Sequence, residues 1–122
     1  MSKFSKFIVG RIQGCGYALK GAFILIKTEP SIQVQAVIAI IMTALGFYVN
    51  ITSTEWILQT FAIGLVMSIE GLNTSVEAIA DFIHPDFHNK IGFIKDIAAG
   101  AVFIAAITAV VIGSIIYIPY LL

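Results

Sequence analysis

Glu70, Asn73, Glu77 and Asp81 lie in the segment Glu70-Gly-Leu-Asn-Thr-Ser-Val-Glu-Ala-Ile-Ala-Asp81, at offsets of 0, 3, 7 and 11 residues. At the helical repeat those offsets share one face, so three carboxylates and an amide line a single edge. A stripe of that kind can hold a divalent cation such as Mg²⁺ and accept a proton. Further along, Lys95-Asp96 precedes an apolar run and reads as the start of a helix, where backbone N–H groups, the dipole and a lysine all favour an anion such as phosphate, although the lysine taken alone reads better as a topogenic charge at the membrane edge. Placed on one membrane face, the two features hold the parts that phosphoryl transfer requires.

The elements that must carry these residues follow from composition. Of 122 residues, 59% are hydrophobic and 11% charged, with a mean hydropathy of +1.00, far more apolar surface than a soluble core of this size consumes. Lipid is therefore the solvent for much of the chain. One domain is the limit for this length, and assembly with further copies is expected. Zero formal net charge without a basic block points away from nucleic acid as a partner class. The single cysteine, Cys15, has no intrachain partner, as suits a reducing compartment. The N-terminus lacks the compact apolar run and small-residue cleavage site of a signal peptide and is expected to be retained.

Three stretches suit the roughly 20 apolar residues that span a hydrocarbon core. They are Ile32 to Ile51, Trp56 to Val76 continuing as helix to Asp81, and Ile97 to Leu122. Thr52-Ser53-Thr54-Glu55 makes a tight polar turn that caps a helix beginning at Glu55 or Trp56. Residues 1–28 read as an amphipathic surface helix: Phe4, Phe7, Ile12, Leu19 and Ile26 share one side, and Lys6, Gln13, Lys20 and Lys27 the other. Arg11 falls within the apolar side, either snorkelling to headgroups or turned toward the site. The fold class is all-α, a surface helix followed by three transmembrane helices in one unit, 1–122.

Of the seven Lys and Arg residues, five precede Glu29 and two, Lys90 and Lys95, lie between the second and third spans. The positive-inside rule then puts the N-terminus and the second connection in the cytoplasm. Glu70 is hard to explain as a mere boundary marker, since an unpaired carboxylate at the bilayer centre costs at least about 2.5 kcal/mol on insertion scales. Asp81 alone fits equally the point where the helix leaves the membrane. Small residues form two ridges, Gly64, Ser68, Gly71 and Ser75 on the second span and Ala101, Ala105, Ala109 and Gly113 on the third, read as helix-packing surfaces. His84 and His88 could pair on zinc, but Pro85 breaks the helix between them and a solvated loop is the better reading. Glu29-Pro30, at the joint before the first span, is an ordinary helix start or a further metal ligand at the depth of the stripe.

The segment Glu70 to Asp81, followed by His88 and by Lys95-Asp96-x-x-x-Gly-Ala-Val102, resembles the signature of the prokaryotic diacylglycerol kinases, which include undecaprenol kinases. The likeness runs from Gly16-Tyr17-Ala18 to Pro119. It implies a homotrimer in the bacterial cytoplasmic membrane with active sites at the cytoplasmic interface, using ATP and Mg²⁺ to phosphorylate a lipid alcohol, undecaprenol or diacylglycerol. The turn and third span are closer to the undecaprenol branch. By the same resemblance Glu70 is the general base, Glu29 and Glu77 hold the metal that bridges the ATP phosphates, and Asn73, Glu77, Lys95 and Asp96 bind the nucleotide, Lys95 on its phosphates. Ser31, Gln33 and Gln35 depart from the Asn, Arg or His common in the family, and Ala80 replaces a commoner valine. Two other classes compete: an oligomeric transporter or channel whose acidic stripe conducts cations, and a structural subunit that needs only the small-residue ridges.

Overall fold

A computed structural model describes residues 1–122 as four helices: α1 (Lys3–Thr28), α2 (Pro30–Val49), α3 (Ser53–Ile83) and α4 (Asn89–Leu121). Helix α1 starts at Ser2, whose Oγ accepts from the Ser5 N–H at 3.1 Å, and none of its residues is buried. It ends at Glu29, held extended (φ −98°, ψ 113°) by the proline that follows; Pro30 then occupies the first turn of α2, where its missing N–H costs nothing. Gln33 clamps this joint. Its Nε2 donates to the carbonyls of Ile26 (3.2 Å) and Lys27 (3.1 Å), which the end of α1 would otherwise leave unpaired.

Helix α2 ends at Asn50, whose left-handed conformation (φ 55°) asparagine tolerates better than most side chains. The Ile51 N–H donates back to the Gly46 carbonyl at 3.1 Å. Next in the chain, Thr52 caps α3 in a reciprocal box: Glu55 N–H donates to Thr52 Oγ1 at 3.2 Å and Thr52 N–H to Glu55 Oε1 at 2.9 Å. The capping expected of this turn is present, with the helix starting at Ser53 rather than Glu55 or Trp56. Gly46 leaves room for the Trp56 ring. A Cβ there would lie 2.8 Å from Trp56 Cη2 and 3.1 Å from Ile51 Cδ1. Gly46→Ala should therefore destabilise the α2–α3 hairpin by about 1–3 kcal/mol, read as a lowered thermal midpoint in detergent, and an unchanged midpoint would show that the ring relaxes freely.

The larger departure from expectation is at α4, which starts at Asn89, not at Ile97. His88 caps it, its Nδ1 accepting from the Lys90 N–H at 3.1 Å. Hydropathy marks where a helix turns apolar, and this one is already formed over the polar residues that precede its apolar run. Lys95 and Asp96 are thus in its second turn rather than at its N-terminus, and the free N–H groups of a helix start are not theirs. The connection shrinks to residues 84–88, with His84 and His88 rings edge to face at 5.3 Å and His84 Nδ1 bonded to the Asp86 carbonyl at 2.7 Å.

Helices α3 and α4 pack most extensively, α2 leans on α3, and α1 touches α2 only around the joint. The buried core lies at the end away from the acidic stripe, where Ile51, Ile116 and Tyr117 meet Met42, Leu45 and Trp56. A polar network sits inside it. Tyr117 OH donates to Gln59 Oε1 at 2.5 Å and lies 3.0 Å from the Met42 carbonyl, to which Gln59 Nε2 donates at 3.2 Å. Tyr120 OH adds a bond to Glu55 Oε1 at 2.6 Å. Each of these side chains finds its partner on another helix, as a polar cluster in an apolar bundle requires.

Only 10 of 122 residues are buried, while long rows of Phe, Ile and Val on α2, α3 and α4 are exposed. Three helices are long and apolar enough to cross a membrane, and their exposed apolar faces suit contact with lipid. The small-residue ridges are used only in part: Ala105 is buried and Gly71 receives Leu25, but Gly64 and Gly113 face open space.

Candidate functional site

Helix lengths set the depth of the stripe. The 20 residues of α2 span about 30 Å, the thickness of a hydrocarbon core, at about 1.5 Å per residue. Running back from the short turn, α3 uses a similar length to recross, which brings it to the level of Glu70 to Leu72. Its remaining turns, carrying Asn73, Glu77 and Asp81, project beyond the hydrocarbon. The polar stripe therefore straddles the membrane edge, with Glu70 at the lipid side and Asp81 toward water.

Glu70 is buried, 7% exposed, and its Oε2 has no hydrogen-bond partner. A turn further, Asn73 Nδ2 makes a long contact with Glu77 Oε1 at 3.4 Å, while Asn73 Oδ1 is buried and unpaired. Two orphaned acceptor oxygens one turn apart are costly unless something supplies a proton or donor to them, and such groups mark sites of chemistry more than of packing. Glu77 itself is exposed.

The joint between α1 and α2 is brought to the same level. A Cβ on Gly71 would lie 3.0 Å from Leu25 Cδ1, so the last turn of α1 rests on α3 beside Glu70. Glu29 follows Leu25 by one turn and is half-buried. Gly71, read from its spacing as part of a helix ridge, instead makes room for a leucine that positions the joint. On the other side Lys95 Nζ reaches across from α4 to Asp81 Oδ1 at 2.5 Å. Asp96 is exposed and bonds to none of the other candidates. No three His, Cys, Asp or Glu side chains converge on one point within the chain.

Beyond Met67, an apolar cleft of about 540 Å³ runs between α2, α3 and α4 toward Gln59 and Tyr117, lined by Ala62, Ile63, Val66 and Gly113 among others. Gln35 enters it near Met67 with a buried, unpaired Oε1. The contributions of Gln33, Gln35 and Leu25 are hidden in the sequence because each depends on contact with a different helix. Only the departure of both glutamines from the family pattern pointed to them.

Residues 16–117 match the family model described as prokaryotic diacylglycerol kinase. The chain is 34% identical over 105 residues to the undecaprenol kinase of Bacillus subtilis (strain 168), covering 86% of this chain and 85% of that protein. It is 34% identical over 107 residues to the diacylglycerol kinase of Haemophilus influenzae, covering 87% and 91% of the two chains. With the diacylglycerol kinase of Escherichia coli (strain K12) it shares 29% over 100 residues, 82% of each.

Proposed function

This chain belongs to the prokaryotic diacylglycerol kinase family and is a lipid kinase; from that membership we propose that it uses ATP to phosphorylate the hydroxyl of a membrane alcohol, undecaprenol or diacylglycerol, at the cytoplasmic face of a bacterial inner membrane. The observation that carries the site is Glu70, a buried carboxylate with a free oxygen at the edge of the hydrocarbon. A lipid alcohol presents its hydroxyl at that depth. Glu70 takes the hydroxyl proton as the oxygen attacks the γ-phosphorus; the O–P bond forms, the bond to the β,γ-bridging oxygen breaks, and ADP leaves. The apolar cleft that begins one turn away at Met67 offers room for part of the lipid tail.

Glu29 and Glu77 are the residues to hold Mg²⁺. The ion seldom uses an all-protein cage and is commonly bound by one or two carboxylates together with substrate phosphates and water, so two acids at the rim fit it without a third. When bound, it neutralises charge on the ATP phosphates. Asn73, with its unpaired Oδ1, and Asp96 face the nucleotide, and Lys95 binds the phosphates through its side chain rather than through a helix terminus. The basic residues flanking the spans set the N-terminus and the 84–88 connection in the cytoplasm, where ATP is. Helix α1 lies along the headgroups with its lysines outward. The open Gly64 suits the approach of a neighbouring helix in a homotrimer.

A cation path is not favoured, because from Ala62 to Met67 the face leading away from Glu70 is apolar. The test is transfer of label from ATP in lipid-reconstituted protein with Mg²⁺, offering undecaprenol and diacylglycerol in parallel. Labelled lipid from either establishes the kinase and its preference; no label in either, with a folded oligomer, would overturn the reading.

A further inference from the structure

Lys95 stands on a different helix from the acidic stripe, and its long stem would sample many directions if free. It does not. Its ammonium is tied to Asp81, one helical turn beyond Glu77 on the face that carries Glu70 and Asn73. The neighbouring Asp96 cannot do this, since adjacent residues on a helix point to different sides. The two partner side chains are 36% and 60% exposed, and an ion pair so placed contributes little to stability. Its consequence is directional. An ammonium has three N–H donors, so a lysine engaged by one carboxylate keeps two for phosphate oxygens.

We propose that Asp81 is a positioning residue that orients Lys95 over the acidic face, so that the ammonium meets the ATP phosphates already directed. This rests on the kinase reading above. The carboxylate makes no bond to the reacting atoms; it lowers the loss of side-chain freedom when the nucleotide arrives. Asp81 therefore acts on ATP binding and hardly on the chemical step, and it acts only while Lys95 is present.

The experiment is a kinetic and binding cycle on the full-length, lipid-reconstituted protein. Asp81→Asn preserves shape and removes the charge; it should raise the KM for ATP about three- to tenfold with kcat held within about twofold. Asp81→Glu, which keeps a carboxylate on a longer stem, should recover most of the loss. In a Lys95→Ala background, Asp81→Asn should add no further weakening of the ATP affinity measured by calorimetry. An unchanged or lowered KM in the single variant would overturn the inference, as would equal weakening in both backgrounds, which would make Asp81 a direct or merely structural contributor. A wild-type protein that neither binds ATP nor transfers phosphate would overturn the kinase reading and this inference with it, whereas an active wild type with an indifferent Asp81 would overturn only the latter.

Discussion

Glu70→Gln lowers kcat by about 10²- to 10⁴-fold, the usual worth of a general base, while the oligomer and the fold survive. The amide has nearly the shape of the carboxylate and cannot take the hydroxyl proton. The side chain is buried with Oε2 unpaired, so the near-isosteric amide breaks no hydrogen bond made by that atom. Thermal stability should accordingly hold as activity disappears. That opposition separates chemistry from packing: a variant that keeps its turnover would remove Glu70 from the reaction, and one that loses both activity and folding would show a structural acid. The KM for ATP should change little, because Glu70 faces the lipid side of the stripe.

Lys95→Ala has the second largest effect and the complementary pattern. Loss of a charge-assisted bond to phosphate is worth about 1.5–3 kcal/mol, or roughly 10- to 100-fold in the KM for ATP, with a smaller fall in kcat. The lysine is partly exposed and bridges α3 to α4 only through Asp81, so the fold loses little. Lys95→Arg keeps the charge with a different fork and should restore part of the affinity. Unaltered ATP dependence in Lys95→Ala would exclude a phosphate role, and nucleotide would then have to be held by the stripe and the metal alone.

How far these features are legible in the sequence differs from element to element. The three spans are legible because apolar length is a direct response to bilayer thickness. So is the capping of α3, since Thr52 and Glu55 have the spacing that pairs them. The start of α4 is not, because hydropathy registers lipid contact and the helix, beginning at Asn89, is already formed before it meets lipid. From that one difference follows another: Lys95 lies in the second turn, so it has only its side chain, and not the free N–H groups of a helix start, to offer an anion.

Local sequence determined by itself that this chain enters a membrane as helices and that Glu70, Asn73, Glu77 and Asp81 share a face, because both depend on the repeat of a single helix. The family could also be recognised there, since its long central motif lies within one helix and agrees with the match over residues 16–117. Tertiary structure alone decided that Glu70 is buried with a free oxygen, that Leu25 rests on Gly71, and that Asp81 holds Lys95. Each of these is a meeting of residues on separate helices, and the distance between helices is set by packing, which no periodicity within one segment encodes.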